Sequence, residues 1–323
     1  MENIVKINND AEAKTLFGRH DENLKIIENG LSVATSFKNG GLKIEGGSEN
    51  VGKASVIVEE LLATIRQGGG IRGHDVSYAV REIIGGEGGP PLHDIYLDRI
   101  EVSSKRQYVT PKSRRQKEYV DAIRKHDIVF AIGPAGTGKT YLAMAMAVNA
   151  LKKKIVSRII LTRPAVEAGE NLGFLPGTLY EKVTPYLRPI YDALYDMVEP
   201  ERIQEYTDRG IIEVAPLAYM RGRTLNDSFI ILDEGQNSTP EQMKMFLTRL
   251  GFDSKTVITG DVTQSDLPKG RESGLIQVQR ILGGIKGIKF VYMGSEDVIR
   301  HELVQEIIKA YESEGNVKGG LNI

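Results

Sequence analysis

The sequence predicts an α/β protein, a parallel sheet with helices on both faces, preceded by a small α+β unit. Three observations point there. Five or six short apolar runs alternate with helical stretches over the later part of the chain. The first run, IVFAIGPAGTGKT at residues 128–140, breaks into a glycine-rich loop ending in Lys-Thr. A later one, FIILDE at residues 229–234, ends in two adjacent carboxylates, which are unfavourable to bury without a task.

The loop fills every fixed position of the P-loop pattern G-x-x-x-x-G-K-T, with Gly133, Pro134, Ala135, Gly136, Thr137, Gly138, Lys139 and Thr140. Its glycines let successive N–H groups converge on phosphate oxygens without Cβ clashes. Lys139 adds a point charge toward the β- and γ-phosphates, and Thr140 offers a hydroxyl to Mg²⁺. The Ala-, Met- and Leu-rich run at 141–152 reads as the helix whose amino end faces the phosphates. Asp233 is expected to share the metal with Thr140, and Glu234 to orient or deprotonate an attacking water. The ligands implied are therefore a nucleoside triphosphate and Mg²⁺.

Composition excludes several classes. At 323 residues the chain is long enough for two cores, and 41% hydrophobic with 26% charged residues is ordinary for globular proteins. A net charge of −1 confines any polyanion contact to local basic patches. There is no cysteine, so disulfides, thiolate catalysis and Cys-type zinc sites are excluded, and the 5 histidines show no ligand spacing. No basic-then-apolar leader opens the chain, and no 18-residue apolar run occurs. A cytoplasmic protein without membrane contact is expected.

In chain order, residues 1–102 read as the small α+β unit: a helix at 23–28, a hairpin from 31–37 and 41–45, a helix at 53–66 and a short one at 75–84. Residues 16–47, LFGRHDENLKIIENGLSVATSFKNGGLKIEGG, followed by an Ala/Val/Leu helix, resemble the KH nucleic-acid-binding module. In that module a GXXG loop clamps a single strand. The resemblance puts the clamp on Gly18, Arg19, His20 and Asp21. Asp21 replaces the second glycine, adding a negative charge and removing a permissive backbone position. Glycine-rich stretches at 68–70 and 85–91 mark the exit from this unit. Residues 103–117, SSKRQYVTPKSRRQK, form a basic linker or a phosphate-contacting strap.

Residues 118–323 hold the nucleotide domain. Gln116 opens a helix running to residue 125, just before the P-loop strand. By resemblance to superfamily 1 helicases, its amide would read the adenine edge. The second strand, 158–163, ends in Arg163, which then points into the ligand crevice beside the nucleotide or a second substrate. Pro176, Pro185 and Pro189 should break the helical, aromatic-rich segment that follows, whose Tyr180, Tyr186, Tyr191 and Tyr195 are core or base-stacking residues. A third strand is expected at 211–216, then Arg221 and Arg223 around Gly222 as an anion clamp that could meet nucleic acid. A helix at 243–250 ends near Arg249. A strand at 256–264 brings Asp261 and Gln264 to the γ-phosphate position, and a last strand at 288–293 precedes a helix at 297–312 carrying Arg300 and His301.

Taken together, GPAGTGKT, ILTRP, GFLPG, PYLRPIYDAL, RGRTL, IILDEGQN, MKMFLTRLG, GDVTQSDLP and DVIRHELVQEIIKAYE resemble the PhoH family of bacterial ATPases, including members with a KH-like N-terminal unit. DEGQ stands where related superfamily 1 proteins often carry DEAQ, and Gly235 for Ala should leave the acid pair intact. The resemblance implies a RecA-like core, Mg-dependent ATP hydrolysis and a role in RNA metabolism, with single-stranded RNA or ribonucleoprotein as substrate. It also implies a second possibility, a nucleotide-gated adaptor for a YbeY-type endoribonuclease or the ribosome. Superfamily 1 helicases take a γ-phosphate arginine from a second RecA-like domain, for which this chain has no room. Arg249 or Arg300 would then act on a neighbouring subunit's nucleotide, implying a homo-oligomeric ring such as a hexamer.

Overall fold

The computed structural model describes residues 1–85, 91–102, 108–164, 179–268 and 270–299, together with Val304 and Ile307. The N-terminal part runs β1 (Glu2–Lys6), α1 (Asp10–Phe17), α2 (Glu22–Leu31), β2 (Val33–Lys38), β3 (Gly41–Gly46), α3 (Ser48–Arg66), α4 (Gly73–Gly85) and α5 (Leu92–Tyr96). The expected hairpin is β2 against β3, and β1 adds to its other edge, giving the antiparallel order β1-β3-β2. Neither β1 nor α1 is anticipated by the sequence pattern. In β1 only Val5 faces the core, so its alternation is too weak to read, and α1 is a short helix started by the Asn9 side chain accepting from Glu12 N. Leu16, Ile27, Leu42, Ile44, Val58 and Leu61 centre this unit's own apolar cluster.

A two-residue ladder, β4 (Ile100–Glu101) with β5 (Tyr108–Val109), leads into the second part. There α6 (Arg114–Lys125), β6 (Ile128–Ile132), α7 (Lys139–Lys152), β7 (Arg158–Arg163), α8 (Leu179–Tyr195), α9 (Pro200–Asp208), β8 (Ile212–Pro216), β9 (Ser228–Leu232), α10 (Pro240–Leu247), β10 (Lys255–Gly260), α11 (Gly274–Ile281) and β11 (Ile288–Tyr292) follow in order. Part of the basic linker, 103–107, lies outside the described residues, and the rest is the β5 strand and the start of α6.

All six strands β6–β11 are parallel, in the order β11-β6-β10-β9-β7-β8. The strand carrying the acid pair, β9, is thus separated from the P-loop strand, β6, by β10, the arrangement of a RecA-like core. Alternate residues serve opposite faces. Val129, Ala131, Ile159, Phe229 and Ile231 pack under α6 and α7. Phe130, Ile132, Ile160, Ile230 and Leu232 pack on the side of α10 and α11. Burial on both faces is why these strands read as continuous apolar runs.

Several expectations change. Pro185 and Pro189 do not break the segment, because α8 runs through both. Its buried Leu187, Ile190 and Leu194 recur at helical spacing against the core, and that packing outweighs the backbone bonds the prolines remove. Tyr191 packs on the same core, whereas Tyr195 is 51% exposed. Glu167, Pro176 and the side chains of Tyr180 and Tyr186 lie outside the described residues, as do Arg300, His301 and most of the helix expected at 297–312. No helix among the described residues is long and apolar enough to cross a membrane.

Candidate active site

Parallel pairing aligns the carboxyl ends of β6, β9 and β10, and the chemistry collects there. The cleft of about 280 Å³ is lined by the loop residues Ala135, Gly136, Gly138, Lys139 and Thr140, by Asp233 and Glu234 after β9, and by Asp261 and Gln264 after β10. Gly136 and Gly138 adopt φ of 87° and 79°, which L side chains rarely do. Gly133 is required for another reason, since a Cβ there would fall 2.3 Å from the Met293 carbonyl oxygen on the neighbouring strand end.

Lys139 Nζ donates to the Gly133 and Pro134 carbonyls at 2.7 and 2.8 Å. Burial pushes its ammonium pKa down, against the opposing pull of Asp261, Glu234 and Asp233. A bound phosphate would offset that desolvation. Asp233 is positioned by two hydroxyls: Thr140 Oγ1 donates to its Oδ1 at 2.6 Å and Thr259 Oγ1 at 2.7 Å. Arg163 reaches both acids, with Nη1 3.9 Å from Asp233 Oδ2 and Nη2 3.7 Å from Glu234 Oε1.

Glu234 itself has φ 54°, the left-handed region, a strained place for a glutamate. Its side chain accepts from Gln236 Nε2, which also donates to the Gln264 carbonyl, while Gln236 Oε1 accepts from Asp261 N. One buried amide thereby ties the Glu234 carboxylate to the Asp261–Gln264 turn. Asp261 Oδ1 accepts from Thr263, and its Oδ2 is buried with no partner. An orphaned carboxylate oxygen beside a backbone cradle fits a magnesium-bound triphosphate with ordered water. Among the described residues no cluster of three or more His, Cys, Asp or Glu could hold a metal ion.

Sequence reasoning did not single out Thr259 or Gln236. A threonine at the end of an otherwise apolar strand, VITGD, is the signal that Thr259 turns inward, and a glutamine two residues after the acids marks Gln236. At Gly235 an added Cβ would lie 2.8 Å from Ile258 Cγ2, so alanine would need β10 to shift, more than its small size suggests.

Other expected residues fall elsewhere. Gln116 is buried and its amide is in use: Oε1 accepts from Lys112 N at 2.7 Å and Nε2 donates to Thr137 O at 3.0 Å. Each amide atom makes one of these hydrogen bonds, the second of which ties it to the P-loop, and Gln116 also lines a neighbouring cavity. Arg221 is exposed, but Arg223 is held by Glu213 through contacts of 2.6 and 2.7 Å, so the two do not form an open anion clamp. Arg249 sits at the amino end of β9, the edge opposite the P-loop, where Leu225 N donates to its carbonyl. Its guanidinium donates to Met245 O, Arg223 O and Thr248 Oγ1, which excludes a role on its own chain's nucleotide. Gly18, Arg19, His20 and Asp21 link α1 to α2, with Arg19, His20 and Asp21 exposed. Asp21 takes φ 59° despite its side chain, but the Arg19 amide is turned to the Glu22 carboxylate at 3.4 Å rather than left open.

The chain is similar to known proteins over most of its length. Residues 108–312 match the PhoH-like protein family. A PhoH-like protein of Bacillus subtilis is 50% identical over 96% of this chain and 97% of its own length. One of Mycobacterium tuberculosis is 53% identical over 95% of this chain and 87% of its own. Protein PhoH of Escherichia coli is 45% identical over 63% of this chain and 58% of its own. Among solved structures, the Sulfolobus solfataricus SWI2/SNF2 ATPase core in complex with dsDNA aligns at TM-score 0.30 and 15% identity, over 45% of this chain and 31% of that one, which is too slight to bear on function. The chain, with its P-loop, acid pair and RecA-like sheet, belongs to the PhoH-like protein family.

Proposed function

We propose that the protein is a Mg-dependent ATPase that couples hydrolysis to the remodelling of RNA or ribonucleoprotein. The observation that carries this reading is the meeting of Thr140 and Asp233 at 2.6 Å inside a cleft that Lys139 and Glu234 also line. The loop amides and Lys139 bind and orient the phosphates. Thr140 and Asp233 would hold the magnesium, which supplies charge neutralisation on the β- and γ-oxygens. Glu234, fixed by Gln236, takes the proton of the attacking water, and Arg163 keeps the acid pair in place. The RNA half of the reading is supported by the resemblance of residues 16–47 to a KH module. ATP turnover by the intact chain should rise several-fold when single-stranded RNA is added; turnover indifferent to RNA would remove the coupling, and no turnover in either condition would end the enzyme reading.

The same proposal includes a homo-oligomer in which an arginine completes a neighbour's site. Arg249 is committed to contacts within its own chain, so Arg300, which lies outside the described residues, is the arginine to which we assign the role. Arg300→Ala should lower turnover by about a hundredfold or more while ATP binding persists. Mixing it with Lys139→Ala chains should restore activity in mixed assemblies. A wild-type rate for the single variant, or no restoration on mixing, would contradict an arginine acting in trans.

A further inference from the structure

A second cavity of about 730 Å³ shares Gly136, Gly138 and Tyr141 with the phosphate cleft and is not lined by the acid pair. A nucleotide whose triphosphate is seated on the loop, with its γ end toward Glu234, must lead its ribose and base the other way. One wall of this cavity belongs to the nucleotide core: Tyr141 and Leu142 on α7, with Gln116 behind the loop. The opposite wall belongs to the N-terminal unit, through Ile71, Arg72 and His74 at the start of α4 and Arg99 after α5.

We propose that the N-terminal unit supplies the outer half of the base-and-ribose pocket, so that a purine nucleotide bridges the two parts of the chain. This rests on the ATP-site reading above and deepens it. Gln116, tied to Lys112 N and Thr137 O, lines the core side of the cavity, and groups across it complete the surroundings of the base. Adenine N1, N3 and N7 are acceptors, and the facing wall presents donors, the guanidinium groups of Arg72 and Arg99. Arg99 is held in place, its Nη2 donating to Gly68 O at 2.8 Å and its Cζ 4.7 Å from the Tyr108 ring centroid. Ile71, Leu142 and Tyr141 offer apolar area for the base faces.

The N-terminal unit and the nucleotide core are already joined by direct contacts, one of them made by Lys112 of the cavity wall. Lys112 Nζ lies 3.2 Å from Asp75 Oδ1, Arg114 N donates to Tyr78 Oη at 2.9 Å, and Arg124 pairs with Asp98. A ligand spanning both walls adds to those links only while it is bound. Nucleotide occupancy thereby sets how firmly the N-terminal unit, with its candidate strand-binding loop, is held to the ATPase core.

The test uses the intact chain with Mg²⁺ and two probes, a non-hydrolysed ATP analogue and inorganic tripolyphosphate, which has the phosphates but no base. Arg72→Ala, a substitution at an exposed side chain, and Arg72→Ala/Arg99→Ala should weaken the analogue by about fivefold and tenfold and leave tripolyphosphate unchanged. Photolabelling with 8-azido-ATP, competed by ATP, should mark peptides within residues 69–110. Unchanged analogue affinity in both variants, equal losses for both probes, or labelling confined to other residues would overturn the shared pocket. A wild-type chain that binds neither probe would instead overturn the ATP-site reading itself.

Discussion

Glu234→Gln should leave ATP binding intact and cut turnover by about 10²- to 10⁴-fold, the range removed with a general base. The substitution keeps the shape and one acceptor oxygen, so Gln236 retains a partner and the loop after β9 is undisturbed. What it removes is the capacity to take a proton beside the γ-phosphate position. Single-turnover measurement with radiolabelled ATP separates the steps: nucleotide should stay bound and uncleaved. A variant that hydrolyses at the wild-type rate would move the base elsewhere, with Asp261 and its unpartnered Oδ2 the next group to test.

Lys139→Ala acts at the other end of the same cleft. The Lys139 ammonium is buried among the Gly133 and Pro134 carbonyls with its pKa lowered, so little of its solvation remains to be lost when phosphate arrives. Removing it should weaken nucleotide binding by about a hundredfold or more, since charge-assisted bonds in a desolvated site are the strong ones. Turnover at saturating nucleotide then becomes unmeasurable. The contrast with Glu234→Gln is the informative result: one variant loses binding, the other loses cleavage. Equal loss of binding in both would contradict the roles assigned.

How far the sequence carries can be seen residue by residue. The P-loop, the acid pair and the parallel strands were legible because each is a local signal, a glycine pattern or an apolar run bounded by polar residues. β7 occupies Arg158–Arg163, the span its apolar run predicts. Side-chain partnership was not legible. Nothing local says that Glu213 neutralises Arg223, that Gln116 is bonded to the P-loop backbone, or that Arg249 donates to the Arg223 carbonyl. Each of those depends on a contact between residues apart in the chain. Thr259 and Gln236 show the converse, since their polar side chains gain a function only once β10 is known to lie between β6 and β9. Asp21 is a further case: a residue without glycine's freedom still adopts the left-handed conformation that its place between α1 and α2 requires.

The claim on which the rest depends is that the loop at Gly133–Thr140 and the carboxylates of Asp233 and Glu234 enclose one magnesium-bound triphosphate. Calorimetric titration of the intact chain with a non-hydrolysed ATP analogue, with and without Mg²⁺, tests it most directly. The account predicts one site per chain, weakened strongly when magnesium is chelated and abolished in Lys139→Ala. Absence of binding heat in the wild type, or an affinity indifferent to both magnesium and Lys139, would contradict it.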